Sequence, residues 1–305
     1  MVLSLEKPPN IMKAHDKNMH VYTHLHKVDL VMWAKNGSKI LPLTLKRIND
    51  VIPEGFVNNR ILVDDHSLDN TQEVAESFGW QVFFNEGKGI CSGANTALRH
   101  VTSDFFISFE QDLLLARDWW QKIPRLLEDK KVAVASGVRV PNQPAALRRL
   151  QEYTLERYQR IDVKKTDFFH AKTLDNTIYK TEIIRKLGGF PWLPVSAGVD
   201  TFLAKNVVSA GFRWKVDYTV TSIHLRGDLK DELAHYYWYG ACHRRTSHVL
   251  YDKTVDLTRN VLRFFFSPVR GLQIAFKKNA PEVVYIYPLI RLNILKGMME
   301  TNKAT

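Results

Sequence analysis

Short, almost wholly apolar segments alternate with amphipathic segments along the first half of the chain, and this alternation constrains the fold more than any other feature. Five apolar segments predict strands, and the segments between them predict helices. The strands are VDLVMWA (28–34), RILVDD (60–65), WQVFFNE (80–86), DFFISFEQD (104–112) and KVAVASGVRV (131–140). Repeated strand–helix units with strands this apolar indicate an α/β fold, a doubly wound and mostly parallel sheet with helices on both faces.

Helical periodicity separates the predicted strands and continues after them. The predicted helices are 40–52, 70–79 after a capping Asp69, 89–101, 117–129, an exposed helix at 145–161, a helix that ends at Gly188-Gly189, and 200–211. Two later strands are predicted, at the start of TIYKTEIIRKLGGF (177–190) and over 212–224. From about residue 229 the chain is predicted to be helical and rich in aromatic residues.

The net charge of +11 comes largely from the end of the chain. Residues 257–305 contain eight Lys and Arg against two acids, which is 8 − 2 = +6. A surplus of this kind favours anionic partners. Short apolar runs punctuated by basic residues and proline suit helices that lie on a membrane surface against anionic lipid. The alternative is an ordinary helical layer on the main domain. Nucleic acid is not expected, because no recognition module is evident.

Compartment and membrane topology are predicted from what the sequence lacks. Two cysteines, Cys91 and Cys242, are too few for a disulfide framework and wrongly spaced for a zinc site. The first residues do not resemble a signal peptide, and no apolar run approaches the ~20 residues of a membrane-spanning helix. We therefore expect a cytoplasmic protein, peripheral on the cytoplasmic face of a membrane.

Polar residues follow four of the predicted strands. They are Asn36, Asp64 and Asp65, Lys88, and the pair Glu110 and Asp112. Ligands of open α/β sheets bind beyond the carboxyl ends of the strands, so these residues are expected to share one binding edge. Carboxylates before a helix can accept hydrogen bonds from a base or a ribose, although an acid there can also simply cap the helix. Glu110 and Asp112 offer hard oxygen ligands for Mg²⁺ or Mn²⁺ bridging a diphosphate.

These runs resemble family 2 glycosyltransferases, which have the GT-A fold. The resemblance covers roughly residues 28–226 and rests on ILVDDHSLDNT, on NEGKGICSGANTALRHVTSDFFISFEQD, and on GGF followed by GVDTFLAKNVVSAG. It implies a nucleoside-diphosphate sugar donor, a divalent metal and inversion at the anomeric carbon. It also implies a GT-A domain at 28–228, with nucleotide-sugar binding at 28–118 and the acceptor side at 119–228. An N-terminal arm (1–27) and a basic, aromatic helical region (229–305) flank it.

Individual roles follow from the resemblance. Asn36, with Asp64 or Asp65, would hold the nucleoside, and Lys88 would lie near the donor. Glu110 and Asp112 stand at the Asp-x-Asp metal motif, and Asp200 stands at the catalytic base. Two departures are visible: Glu replaces the first Asp of the metal motif, and Val199 replaces the first acid of the usual acid pair at the base.

Two residues after the last predicted strand are further candidates. His224 is a candidate third metal ligand or diphosphate contact, with a structural histidine as the alternative, and Arg226 is a candidate phosphate contact. The Gln-x-x-Arg-Trp signature of processive synthases is missing from YYWYGACHRRTSHVL.

The predicted function is transfer of a single sugar to a membrane-associated acceptor, either a lipid-linked glycan or a polyprenyl phosphate. Two alternatives stay open at this point. One is a catalytically silent, membrane-docked protein that binds nucleotide sugars. The other is a sugar-nucleotide pyrophosphorylase, which normally has a glycine-rich loop where this chain has AKNGSKILP.

Overall fold

An eight-stranded sheet runs through the middle of the protein in a computed structural model. The structure describes residues 27–165, 168–193, 195, 197–225, 227–251 and 257–300, and of these it describes 244–251 by their backbone alone. The strands are β1 (Val28–Ala34), β2 (Val57–Asp64), β3 (Gln81–Phe84), β4 (Phe105–Glu110), β5 (Leu113–Leu114), β6 (Val132–Pro141), β7 (Thr177–Lys180) and β8 (Arg213–His224). Their order across the sheet is β3-β2-β1-β4-β7-β6-β8-β5.

Six of the eight strands point in the same direction, which confirms the predicted mostly parallel sheet. Strands β3, β2, β1 and β4 are parallel neighbours, and β6 is parallel to β8. Strand β7 is antiparallel to both of its neighbours, β4 and β6, and the two-residue β5 is antiparallel to β8. The reversal of β7 places its first residues at the edge where the parallel strands end.

Helices cover both faces of the sheet, as predicted for a doubly wound fold. They are α1 (Leu41–Val51), α2 (Thr71–Ser77), α3 (Gly89–His100), α4 (Trp119–Lys122), α5 (Ala145–Asp162), α6 (Thr181–Lys186), α7 (Val199–Ser209), α8 (Leu229–Tyr251), α9 (Leu257–Phe265), α10 (Ser267–Lys278) and α11 (Val283–Met299). Leu30 and Met32 of β1 belong to the core under α1, whereas Val31 and Trp33 belong to the core under α3, α6 and α7. This alternation is the two-residue period of a strand whose two sides are both buried.

The predicted helix at 117–129 is wrong in its length. The α-helix α4 has four residues, and a 3₁₀ turn at Pro124–Glu128 follows it. Proline has no N–H, and its ring collides with the carbonyl four residues earlier, so Pro124 disfavours a continuous α-helix here. Trp119 and Trp120 nevertheless anchor this short helix in the core.

The C-terminal helices form a layer on α5 rather than a detached tail. Leu147 and Leu150 of α5 pack with Ile274 of α10 and Ile286 of α11, so α5 is amphipathic and not the exposed helix that its sequence predicted. Helices α8 and α11 approach closely at glycines, since a Cβ on Gly240 would lie 2.1 Å from the Ile294 carbonyl oxygen. Among the described helices, none is both long and apolar enough to cross a membrane.

Candidate active site

The predicted candidate residues lie along the edge where the parallel strands end. Strand β1 ends at Ala34, which pairs with Asp64 at the end of β2. Strand β4 ends at Glu110, and β8 ends at His224, which pairs with Pro141 at the end of β6. Side chains from distant parts of the sequence therefore meet at one edge, as the rule for open α/β sheets predicts.

Asp64 is fully buried, and one of its carboxylate oxygens has no hydrogen-bond partner among the described residues. Its Oδ2 accepts hydrogen bonds from the Ser67 backbone N–H at 3.0 Å and from Nε2 of Gln72 at 3.0 Å. Its Oδ1 is also buried, and no described residue donates a hydrogen bond to it. A buried oxygen without a partner is costly, so a donor group of a ligand is the natural partner for Oδ1.

Asp65 ties the ends of β1, β2 and β3 together. Its Oδ1 accepts hydrogen bonds from Nδ2 of Asn85 at 2.7 Å and from the Gly89 N–H at 3.1 Å, and Nζ of Lys35 lies 3.5 Å from its Oδ2. Asn85 follows β3, and Gly89 is the first residue of α3. The carboxylate therefore fixes the loop that leads into α3, and Lys35 brings a positive charge to the same place.

Asn36 holds the loops after β1 and β2 against each other. It has a positive φ of 49°, a left-handed conformation in which asparagine is one of the favoured residues. Its backbone N–H donates to Oγ of Ser67 at 2.8 Å, and its Oδ1 accepts from the Leu68 N–H at 2.8 Å. Next to it, Ser38 donates to Asp69 through both its N–H and its hydroxyl. Asp69 thus links two loops. The N-cap of α2 is Asn70 rather than the predicted Asp69, whose Oδ1 accepts a hydrogen bond from the Thr71 N–H at 3.2 Å.

Two predicted donor contacts, Lys88 and Arg226, do not take part in the hydrogen bonds and ion pairs described above. Lys88 is exposed, directly before the first residue of α3. Arg226 lies outside the described residues.

Three side chains converge where β4, β5 and β8 meet. Nε2 of His224 lies 3.1 Å from Oδ2 of Asp112 and 3.4 Å from Oε2 of Glu110, and one ligand atom from each of the three residues lies within 4.8 Å of the others. Strand β5 produces this arrangement, because Leu113 pairs with His224 and so places the preceding Asp112 beside it. Two carboxylates and an imidazole form a donor set that fits a divalent cation.

Arg139 and Asp175 extend this cluster through ion pairs. Nη1 of Arg139 lies 2.7 Å from Oε2 of Glu110 and 2.8 Å from Oδ2 of Asp175, whose side chain is fully buried. Burial raises the pKa of Asp175, although Arg139 opposes that effect. Burial alone would lower the pKa of Arg139, but Asp175 and Glu110 outweigh it and hold the pKa well above its usual value. Arg139 therefore stays charged and fixes the position of Glu110.

Asp200 lies at the start of α7, next to this group of charges. Its Oδ1 accepts a hydrogen bond from the Thr201 N–H at 2.6 Å. Burial raises the pKa of Asp200 to about 6, and the Thr201 N–H and then Arg139 are the main opposing influences. A carboxylate with a pKa near 6 is ionised at neutral pH and is basic enough to accept a proton from a hydroxyl.

The sequence model of glycosyl transferase family 2 matches residues 29–188, which is more than half of the chain and includes β1 to β7. The chain belongs to glycosyl transferase family 2. It is a glycosyltransferase enzyme, and its sheet is that of the GT-A fold. The search of curated protein sequences finds no match.

Solved structures of other glycosyltransferases share this fold. One is a mannosyltransferase from Pyrobaculum calidifontis in complex with GDP-Man and Mn²⁺, which is 20% identical, covers 88% of this chain and 73% of that chain, and has a TM-score of 0.58. Another is glucosyl-3-phosphoglycerate synthase from Mycobacterium tuberculosis with phosphoglyceric acid, which is 14% identical, covers 75% of this chain and 81% of that chain, and has a TM-score of 0.53.

Sequence reasoning missed Arg139 and Asp175 of this family 2 glycosyltransferase. Arg139 carried a weak signal, since it is the only charged residue between Val132 and Pro141 in an otherwise apolar strand. Asp175 carried none. It precedes β7, and residues before a strand lie at the binding edge only if that strand is antiparallel to the others, a direction that its four residues do not reveal.

Proposed function

We propose that this glycosyltransferase transfers a single sugar, with inversion, from a nucleoside-diphosphate sugar to a membrane-associated acceptor, and that it requires a divalent metal. The observation that carries the proposal is the meeting of two kinds of group at one edge of the sheet. A buried carboxylate oxygen of Asp64 has no hydrogen-bond partner among the described residues, and the cluster of Glu110, Asp112 and His224 lies at the end of β4 in the same sheet.

The nucleoside is proposed to bind over the ends of β1 and β2. Oδ1 of Asp64 would accept a hydrogen bond from a base N–H or a ribose hydroxyl. Asn36 and Asp65 shape this part of the site through the loops that they join. Lys88 and Arg226 are proposed to meet the phosphates, because both are cations that follow strand ends.

The metal is proposed to bind between Asp112, His224 and Glu110. Bound there, a divalent cation would offset the negative charge that develops on the leaving diphosphate. Asp112 and His224 would be the direct ligands, since Arg139 already holds Oε2 of Glu110. Carboxylates suit both Mg²⁺ and Mn²⁺, whereas an imidazole ligand favours Mn²⁺ of the two. The Mn²⁺ bound to the Pyrobaculum mannosyltransferase agrees with this choice.

Asp200 is proposed to be the catalytic base. An acceptor hydroxyl must lose its proton as it attacks the sugar, and an ionised carboxylate within hydrogen-bond reach can take it. With a pKa raised to about 6 by burial, Asp200 is mostly ionised at pH 7 and more basic than an exposed aspartate. A hydroxyl acceptor needs such a base, whereas an already ionised lipid phosphate does not.

The membrane-associated acceptor is supported by a cavity against the C-terminal helices. This cavity of about 640 Å³ lies between the residues after β6, including Gln143 and Pro144, the residue before α8, Asp228, and the turn between α10 and α11 at Ala280 and Pro281. The Asn142 N–H donates to the His224 carbonyl at 3.0 Å, so the backbone just before Gln143 is hydrogen-bonded to the backbone of a residue of the metal cluster. An acceptor entering past the C-terminal helices would reach the candidate site here, on a protein peripheral to the cytoplasmic face of a membrane.

A calorimetric and thermal-shift screen of UDP- and GDP-sugars with and without Mn²⁺ tests the proposal. We expect one nucleotide sugar to bind in the presence of Mn²⁺. Asp112→Asn should abolish the metal dependence and lower kcat about 10³-fold, because the metal supplies several kcal/mol of charge stabilisation. Asp50→Asn is the matched control, since Asp50 is an exposed partner of Lys46 on α1. Metal-independent binding, or equal effects of the two variants, would contradict the metal site.

A further inference from the structure

Helices α9 and α10 expose an unusual amount of apolar surface. Five exposed apolar residues follow one another at separations of three or four residues, and we name them the apolar stripe. They are Leu262 (52% exposed), Phe265 (68%), Val269 (58%), Leu272 (47%) and Phe276 (82%). Residues at this spacing lie on one face of a helix. Exposed apolar residues that are contiguous, rather than scattered, mark an interaction site.

The apolar stripe is divided between two consecutive helices that meet at Phe266. The Phe266 N–H donates to the Leu262 carbonyl at 3.0 Å at the end of α9, and the Arg270 N–H donates to the Phe266 carbonyl at 3.1 Å at the start of α10. The helical hydrogen bonds are interrupted between them, because Pro268 near the start of α10 has no N–H to donate. Leu262 and Phe265 therefore share one face of α9, and Val269, Leu272 and Phe276 share one face of α10.

The opposite face of α10 is the one that packs on the protein. Ser267, Gly271, Ile274 and Ala275 are buried, and Ile274 and Ala275 belong to the core shared with α5 and α11. Successive residues of an α-helix are turned by about 100°, which places the centre of this buried set roughly opposite Val269, Leu272 and Phe276. Val269, Leu272 and Phe276 are thus on the outward face of α10, whereas α9 has no buried residue.

The charged residues near the apolar stripe indicate what kind of partner binds it. Residues 257–281 contain five basic residues and no acid. Arg259, Arg263 and Lys277 are exposed on the same two helices. An apolar face flanked by cations complements a bilayer that contains anionic lipid, in which apolar side chains enter the acyl boundary and cations meet the headgroups. A second copy of the chain is a poorer partner, because it would bring the same positive charges face to face.

We propose that the apolar stripe docks the enzyme on an anionic membrane surface, with α9 and α10 lying in the plane of the headgroups. This inference rests on the proposed function for its purpose, since it brings the proposed acceptor cavity to the membrane. The turn after α10 lines that cavity, so the helix that docks also borders the place where the acceptor enters.

Sedimentation of the full-length protein with vesicles tests the docking surface. The vesicles are phosphatidylcholine alone and phosphatidylcholine with a third of phosphatidylserine. We expect binding to the anionic vesicles only, and weaker binding as salt rises. The double variant Phe265→Ser and Phe276→Ser should bind at least about 100-fold more weakly, because burial of each phenylalanine contributes about tenfold. Replacing Arg259 and Lys277 by Gln should remove the preference for anionic vesicles.

Val163→Ser is the matched control, because Val163 is exposed to the same extent as Phe276, 82%, but lies at the end of α5. It should bind vesicles like the unsubstituted chain. Thermal unfolding of every variant should be unchanged, since the substituted side chains are exposed. Equal binding to both vesicle types, or unchanged binding by the double phenylalanine variant, would overturn the proposal. So would a dimer in light scattering that the double variant abolishes, because a second copy would then cover the stripe.

Binding of the nucleotide sugar separates this inference from the proposed function. If the double phenylalanine variant still binds donor and Mn²⁺ but loses vesicles, both proposals hold. Vesicle binding without any donor binding would leave the docking surface standing and remove the proposed function. Donor binding without vesicle binding would leave the proposed function standing and remove the docking surface.

Discussion

The two halves of the candidate site are built from different interactions. The donor half consists of the loops after β1, β2 and β3, and hydrogen bonds hold it together, such as those from Asn36 to Ser67 and Leu68. The cation half consists of Glu110, Asp112, Arg139, Asp175 and His224, with Asp200 beside them, and charge holds it together. The polar groups of the donor half mostly bind one another, whereas the cation half contains four carboxylates, two of which pair with Arg139.

This difference indicates how each half contributes to catalysis. Hydrogen bonds between loops fix a shape before the ligand arrives, so the donor half should affect binding more than turnover. An excess of carboxylates, of which Asp175 is fully buried, destabilises the protein until a cation arrives, so the cation half should affect turnover and stability together. Substitutions in each half test this difference.

Arg139→Met should have the largest effect, a loss of about 3–5 kcal/mol in the free energy of unfolding. It leaves the fully buried Asp175 and the half-buried Glu110 without their shared partner. Urea denaturation measures the loss. Adding Asp175→Asn to Arg139→Met removes one of the two negative charges that have lost Arg139 as their partner, so part of the stability should be recovered.

Arg213→Met is the control for that experiment. Arg213 pairs with Asp129, and both side chains are more than 40% exposed, so this substitution should cost no more than about 1 kcal/mol. If Arg139→Met cost as little as Arg213→Met, charge would not organise the cation half, and the contrast between the halves would fail.

Asp200→Asn should have the next largest effect, a fall in kcat of about 100-fold, at the lower end of what a general base contributes. Burial raises the pKa of Asp200 to about 6, and only the ionised form can accept a proton. In the unsubstituted enzyme, kcat/KM should therefore fall about tenfold per pH unit below pH 6 and level off above it. The variant should lose this inflection.

The stability of Asp200→Asn distinguishes a base from a structural residue. The folded-state pKa of Asp200 lies above the unfolded value, so its ionised form destabilises the fold once the pH rises above that unfolded value. The neutral asparagine should therefore raise the Tm at pH 7. A lower Tm, or a pH profile that keeps its inflection near 6, would remove Asp200 from the role of base. Asp217→Asn, in the part of β8 where the pairing with β6 shifts in register, should change neither the profile nor kcat.

The contrast between the halves also explains how far the sequence could predict the site. The donor half comes from consecutive strand–helix units, whose parallel direction follows from their connections, so Asn36, Asp64 and Asp65 could be placed at one edge. The cation half depends on β7 and β5, which have four and two residues and run antiparallel to their neighbours. No local pattern gives their direction, so Asp175 was missed.

His224 was identified through its place after a predicted strand, but its distance from Asp112 could not be predicted. That distance depends on the pairing of Leu113 with His224 across a strand of two residues. The burial of α5 was missed for a related reason, because the helices that cover it lie more than 100 residues later in the chain. The domain limits at 28 and 228, and the roles of Lys88 and Arg226, stay predictions.

Asn36 offers the smallest effect and the most direct test of the donor half. Asn36→Gly removes the bond from Oδ1 to the Leu68 N–H but tolerates the positive φ, so it should raise the KM for the donor by roughly 3- to 10-fold, the worth of one hydrogen bond. Asn36→Ala loses the same bond and also strains the backbone, so its KM should be higher still. In both variants kcat should stay unchanged, because neither touches the charges. A fall in kcat without a change in KM would mean that the loops position the sugar for reaction, and the division between a binding half and a reacting half would have to be given up.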